Sequence, residues 1–272
     1  MIIHHYTGAN ADDRVHASLC KIWLSGFDDT PEYFDLFYNS NVHAGQAEVF
    51  YAFDERSSDI LGAAYLLGPC LLPYAGENHF AYYGYAFSVL PDYRGTGVYA
   101  ALSDAFRVWA RAQGAGVFLY PANNKLLEYY TKNGAAKNLI TRRVKLDHTA
   151  FGALLACGGA RSIGADEAET YAAIRNAHFT GCTHLLWCER AIRYAIQENL
   201  FCGGFCKMLT VSGAKHVIFG REEADCVIIK ETTLPDAILV KFGAKPEDFE
   251  TASLASYDMP QLQGFKAGLL LD

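Results

Sequence analysis

The run Val89-Leu90-Pro91-Asp92-Tyr93-Arg94-Gly95-Thr96-Gly97-Val98-Tyr99 sets two glycines where a strand-like segment gives way to a helical one. Glycine lets the backbone turn sharply and approach a ligand closely, and the first helical turn leaves its N–H groups open toward negative charge. Such a turn suits a pyrophosphate; a plain tight turn is the alternative. Asn123 opens a second helix, with Tyr130 seven residues on and Gly134 four after that. A phenol there can donate a hydrogen bond or a proton, but Tyr130 is also in helical register with Leu126 and Leu127, which allows a packing role. Cys182, His184, Cys188, Cys202 and Cys206 crowd into 25 positions. No Cys-x-x-Cys pair occurs among them, and neighbours such as Leu185, Leu186, Trp187 and Phe205 suit buried thiols, so no metal site is expected. There is no P-loop, no Gly-x-Ser-x-Gly elbow and no dinucleotide fingerprint.

These residues need elements to hold them. Val15, Leu19, Ile22 and Trp23 mark one face of a helix over 10–26, and Pro31 to Phe37 reads as a second, shorter helix. Ala47–Phe53, Ile60–Leu72 and Phe80–Leu90 are rich in β-branched and aromatic residues, giving a three-stranded antiparallel meander. Alternation along the third strand puts Tyr82 on one face and Tyr83, Tyr85 and Phe87 on the other. After Pro91, Val98, Leu102, Ala105 and Trp109 line a helix closed by Gly114 and Gly116. Val117–Tyr120 follows as a buried strand, Asn124–Lys132 as a helix stopped at Gly134, and Leu139–Leu146 as a strand. The centre of this half is thus a parallel β-helix-β crossover.

The chain has 272 residues, more than the roughly 100 to 200 of one domain. With 51% apolar and 19% charged residues it reads as globular. The net charge of −7 argues against nucleic acid, whose binders need a basic stripe. No signal-like N-terminus and no run of ~20 apolar residues is present, so a cytoplasmic protein without membrane insertion is expected. We expect a first domain over 1–147, a linker helix over 148–162 and a second domain over 163–272. In the second, Glu167–Ala177 and Leu185–Leu200 read as helices, and Phe205–Val211, His216–Phe219 and Cys226–Glu231 as strands. Two helices and then three strands repeat the opening order. Leu234-Pro235-Asp236 echoes Leu90-Pro91-Asp92, and Lys241-Phe242-Gly243-Ala244 resembles Lys132-Asn133-Gly134-Ala135. Duplication or chance could give these short matches. A second copy would lack the crossover helix, the strand and the helix that follows it.

Arg94 to Tyr99 resembles motif A of the GNAT superfamily of N-acetyltransferases, in which Val-x-Pro leads to Arg-Gly-x-Gly-x-Gly/Ala and a long helix. Tyr99 departs from the final Gly or Ala. Asn123, Tyr130 and Gly134 resemble the family's Asn-x6-Tyr-x3-Gly-Phe signature, with Ala135 in place of Phe. The likeness covers Phe80 to Leu146 by motif, and 1–78 by element order.

The resemblance implies an α/β fold, with a mixed central sheet and flanking helices, plus a smaller GNAT-like α/β domain. It implies transfer of acetyl from acetyl-CoA to a primary amine of a small molecule or peptide. It further implies that Phe87, Ser88, Val89, Arg94, Gly95, Thr96, Gly97, Val98, Tyr99, Asn123 and Tyr130 hold the coenzyme, with Tyr130 as general acid or positioning group. Deprotonating a lysine-like amine at pH 7 costs roughly 4 to 5 kcal/mol. Phe80 to Val89 carries no Asp or Glu to take that proton; Glu77, His79 or a water chain ending at a backbone carbonyl remain. The second half would shape the acceptor pocket or a homodimer contact. The rival reading is a CoA-binding or interaction module without catalysis, suggested by Tyr99, Ala135 and the absent strand carboxylate.

Overall fold

Local chemistry fixes several element ends before any packing is considered. Thr30 accepts a hydrogen bond from Tyr33 N at 3.2 Å, and Pro31 takes the first helical position of α2. Asn123 accepts from Leu126 N at 3.0 Å at the start of α4, and Asp147 from Ala150 N at 2.7 Å at the start of α5. The computed structural model describes residues 1–7, 13–180, 184–260 and 265–268. In chain order the elements are β1 (Ile2–Thr7), α1 (Asp13–Gly26), α2 (Pro31–Phe37), β2 (Ala47–Asp54), β3 (Asp59–Tyr74), β4 (Glu77–Val89), α3 (Val98–Ala112), β5 (Ala115–Leu119), α4 (Asn124–Lys132) and β6 (Ala136–Leu146). There follow α5 (His148–Cys157), β7 (Arg161–Ser162), α6 (Ala168–Phe179), α7 (Glu189–Phe201), β8 (Phe205–Val211), β9 (Ala214–Glu222), β10 (Val227–Thr232), α8 (Asp236–Lys241), β11 (Phe249–Tyr257) and β12 (Phe265–Lys266).

The chain forms two compact units. The first comprises Met1–Cys70, His79–Ala136 and Ala255–Pro260. In it β1 and β2 pair antiparallel, as do β2 and β3; β4 lies beside β3 and runs parallel to β5. The last residues of β11 pair antiparallel with β5, Ala255 opposite Leu119. One face of this sheet packs Phe50, Leu61 and Leu66 against Val98, Leu102 and Phe106 of α3. On the other, Trp23 of α1 and Phe37 of α2 meet at 4.8 Å, and Phe37 meets Tyr65 at 4.9 Å. Each such buried side chain contributes about 1.5–3 kcal/mol. The meander gains a fourth strand, because β1 carries His4 and His5 into the sheet; His5 Nε2 lies 2.7 Å from Glu48 Oε2. Gly114, at φ +69°, closes α3, but Gly116 lies inside β5. A Cβ there would meet Tyr257 O at 2.9 Å, so close strand approach, not helix termination, requires that glycine.

The second unit comprises Leu71–Asn78, Lys137–Leu254 and Gln261–Asp272. Its sheet runs β11-β6-β10-β9-β8-β7, with β12 parallel to β6. The expected linker helix is a core helix: α5 buries Phe151 and Leu154 with Leu146, Leu209, Ile218 and Leu239. The boundary expected at 147 is displaced for the same reason, since β6 pairs with β10 and its Val144 and Leu146 join this core. Leu185–Leu200 begins its helix only at Glu189; Leu186 bridges Leu71 in extended form instead. β11 was not anticipated.

The echo between the halves is structural at two points. Gly134 and Gly243 both have positive φ, and behind each the next alanine closes a turn, Ala135 N to Tyr130 O at 3.0 Å and Ala244 N to Leu239 O at 3.0 Å. Between β10 and β11 lie α8 and a 3-10 turn at Pro246–Asp248.

Candidate active site

The candidate site lies within the first unit. Pairing of β4 with β5 stops at Gly84 and Leu119, while β4 runs on to Val89. Ala86 has φ +52°, a conformation that costs a non-glycine residue energy and shifts the side-chain alternation by one. Phe87 therefore leaves the face of Tyr85 and stacks on Phe106 of α3 at 5.0 Å, on the side where Tyr82 meets Trp109. Sequence alternation had put Phe87 with Tyr83 and Tyr85, which contact each other at 5.7 Å on the opposite face. Beyond the shift, Phe87 to Val89 present a backbone edge that β5 does not cover.

The chain then turns through a 3-10 segment, Pro91–Tyr93, into the glycines. Gly95 (φ +79°) and Gly97 (φ +90°) are left-handed, and a Cβ on either would meet nothing within 4 Å. The backbone angle, not crowding, demands glycine here. The first helical bond runs from Ala101 N to Gly97 O at 3.0 Å. The N–H groups of Val98, Tyr99 and Ala100 thus precede the helical ladder of α3 and stay open to an anion. Arg94 fixes the turn: its Nε donates to Val89 O at 3.0 Å and its Nη2 to Ser25 O at 2.9 Å. Thr96 Oγ1 donates to Tyr93 O at 2.7 Å.

These parts border a cavity of about 550 Å3. Of the residues expected at the site, Phe87, Val89, Arg94, Gly95, Gly97, Tyr99 and Tyr130 line it. Four do not. Ser88 turns its hydroxyl to Ile22 O at 2.9 Å, Val98 is buried in the core, Thr96 braces the turn and Asn123 caps α4. Tyr93, Ala100, Leu126 and Tyr129 line the cavity without having been singled out. Position could have found them: Leu126 and Tyr129 share one face of α4 with Tyr130, and Ala100 is the third residue of α3.

Residues 13–135 match the Acetyltransferase (GNAT) family. They are a GNAT acetyltransferase domain. The solved structures of two GCN5-related N-acetyltransferases share the fold across 94% of the chain. The one from Kribbella flavida has a TM-score of 0.62 at 14% identity over 70% of its own length. The one from Anabaena variabilis has a TM-score of 0.64 at 11% identity over 72% of its length. A conserved protein of unknown function from Enterococcus faecalis gives 0.60 at 9% identity, covering 94% of this chain and 72% of that one. Coverage on that scale extends the GNAT-like fold to the second half. No curated protein matches the sequence.

Within the GNAT domain, Tyr99 is the departure with the largest consequence. Its ring meets those of Tyr129 at 5.6 Å and Tyr130 at 6.3 Å, and its hydroxyl is buried. Burial, reinforced by Tyr130, pushes its pKa well above the usual phenol range. Burial also raises the Tyr130 phenol; the Tyr99 hydroxyl opposes that rise and Tyr129 adds to it. Both side chains are therefore neutral donors at neutral pH. Glu77 and His79 stand at the start of β4, seven or more residues before Ala86. At about 3.3 Å per residue His79, which shares the site's unit, lies more than ~20 Å along the strand from the open edge, which removes it as a direct base.

Of the cysteine group, Cys182 lies outside the described residues. Cys188 and Cys202 are exposed, and burial pushes the Cys206 thiol far above its ordinary range. Among the described residues no three His, Cys, Asp or Glu side chains are grouped to hold a metal, and no helix is long and apolar enough to cross a membrane.

Proposed function

We propose that the protein is an N-acetyltransferase that moves acetyl from acetyl-CoA to a primary amine of a small molecule or peptide. One observation carries this reading: the open amides of Val98, Tyr99 and Ala100, behind left-handed Gly95 and Gly97, stand beside the same cavity as the uncovered edge of β4 and the phenol of Tyr130. A donor with a diphosphate at one end and a thioester at the other fits that order, and the space around Gly95 and Gly97 admits it. When bound, the coenzyme supplies an acyl group activated as a thioester.

The chain's residues divide the remaining work. The amides of the α3 turn would hold the diphosphate, and Arg94 keeps them aligned through Val89 O and Ser25 O. The N–H groups along Phe87 to Val89 would bond the pantetheine arm and stabilise negative charge on the thioester oxygen, usually a leading contribution in acyl transfer. Tyr130, kept protonated by burial, would donate a hydrogen bond to the departing sulfur. With no carboxylate on Phe80 to Val89, the amine proton would pass to bulk solvent through water ordered by a backbone carbonyl. The donor and acceptor proposed here are tested by incubating purified protein with acetyl-CoA and a broad panel of primary amines, following thiol release. Acetyl-CoA binding with amine-dependent release supports transfer; binding without release above the amine-free blank leaves a coenzyme-binding module.

A further inference from the structure

The second unit holds a separate cavity of about 260 Å3 on β10, next to the end of α6. Its place is informative. Leu234 relates to Leu90 by an offset of 144 residues, and the same offset relates Lys230 to Ala86. Both strands are irregular at that point: Ala86 has left-handed φ, and the register of β10 against β9 slips between Ile229 and Glu231, making Lys230 the extra residue. The second unit therefore has a strand irregularity at the position where the first unit's cavity opens, and a cavity adjoins it again.

The lining differs in character. Two carboxylates face the space, and each already has an arginine. Glu231 is gripped by buried Arg175 through Nε–Oε1 at 2.8 Å and Nη2–Oε2 at 2.9 Å, and Asp236 by Arg142 at 2.8 Å. Lys266 also lines the cavity and has no carboxylate partner among the described residues; Lys230 adds a further cation, its Nζ 5.9 Å from the centre of the Phe219 ring. His184 stacks on Phe179 at 3.8 Å, and its buried Nδ1 has no hydrogen-bond partner among the described residues. Burial, together with Lys266, Arg175, His178 and Arg142, holds its pKa down at about 3, so the ring is a neutral donor or acceptor in a positive field. A buried nitrogen without a partner is costly, and the positive charge of Lys266, with no carboxylate partner among the described residues, attracts anions.

We propose that this cavity is a second ligand site, taking a small oxyanion, carboxylate or phosphate in type, held by Lys266 and by the His184 ring through Nδ1–H. Its volume is about half that of the first unit's cavity, which excludes a whole coenzyme A and favours a compact ligand. The inference rests on the second unit alone and stands apart from the acetyl transfer proposed above.

The test uses the full chain and follows the His184 ring resonances by 1H–15N NMR, assigned with His184→Gln, during titration with sodium acetate and, separately, inorganic phosphate at constant ionic strength. A saturable shift with either anion, weakened roughly tenfold or more in Lys266→Met, is expected. Circular dichroism checks that the variant is folded, and Lys266→Gln replaces it should the methionine variant not fold. Shifts that do not saturate with either anion, or saturate equally well without Lys266, would overturn the proposal.

Discussion

Replacing Tyr130 with phenylalanine separates two roles that its position allows. A free phenol titrates near 10 and a thiol near 8.5, so handing the proton over is uphill by about 2 kcal/mol before burial is considered. Burial raises the phenol further, which widens that gap and disfavours complete transfer. What Tyr130 can supply is a hydrogen bond to developing charge on sulfur, worth about 1.5–3 kcal/mol. Tyr130→Phe should then lower kcat by roughly 10- to 150-fold, with acetyl-CoA affinity little changed because the ring and its contacts remain. Removal of one hydroxyl should shift stability by no more than about 1 kcal/mol. Initial rates of thiol release, a separate binding titration and a denaturation curve give the three numbers. The raised pKa also means that wild-type activity should show no loss from Tyr130 ionisation below about pH 10. An unchanged turnover number in the variant would remove Tyr130 from the mechanism and refute the reasoning.

Other expectations follow from the same geometry. Glu231→Gln strips the charge from the partner of fully buried Arg175 and should cost about 3–5 kcal/mol in urea unfolding; a change under about 1 kcal/mol would show that the guanidinium finds another partner. Gly97→Ala places a Cβ in open space at φ +90°, so its stability cost should be the backbone penalty alone, about 1–2 kcal/mol. A wild-type denaturation midpoint in that variant would contradict the left-handed cap. His184 is held neutral in the fold to about pH 3 but titrates near 6.5 when unfolded. The unfolded chain thus binds the proton first, and this residue's effect is a loss of stability as pH falls from about 6.5 toward 3. His184→Phe should flatten the decline between about pH 6.5 and 5, above the carboxylate range, and an identical slope in variant and wild type would argue against a buried neutral ring.

Much of the first unit could be read from residues because its signals are local. Pro31–Phe37 and Asn124–Lys132 carry their own starts in Thr30 and Asn123, and Gly134 its own stop, so both helices fall where expected. The phosphate-type turn is equally local, its angles set by Gly95 and Gly97. What escaped reading depends on contacts distant in sequence. Nothing in Ala86 announces a left-handed residue, yet its turn decides which face Phe87 joins. Phe249–Tyr257 carries Glu250, Thr251 and Ser253 in its first half and becomes a strand through partners more than a hundred residues away. α5 looked like a connector because its helix is apolar without a marked face, whereas burial of Phe151 and Leu154 makes it core. Leu185 to Cys188 is apolar enough for a helix, but Leu186 is drawn into a bridge with Leu71.

Acetyl transfer as proposed depends on main-chain amides at the start of α3 gripping a diphosphate. Calorimetric titration of the full chain with acetyl-CoA and with acetyl-pantetheine, which lacks the diphosphate, tests it most directly. One acetyl-CoA should bind per chain, and acetyl-pantetheine should bind more weakly by at least about tenfold, the loss of a single charged hydrogen bond. Equal affinity for the two, or no heat with acetyl-CoA, would contradict it.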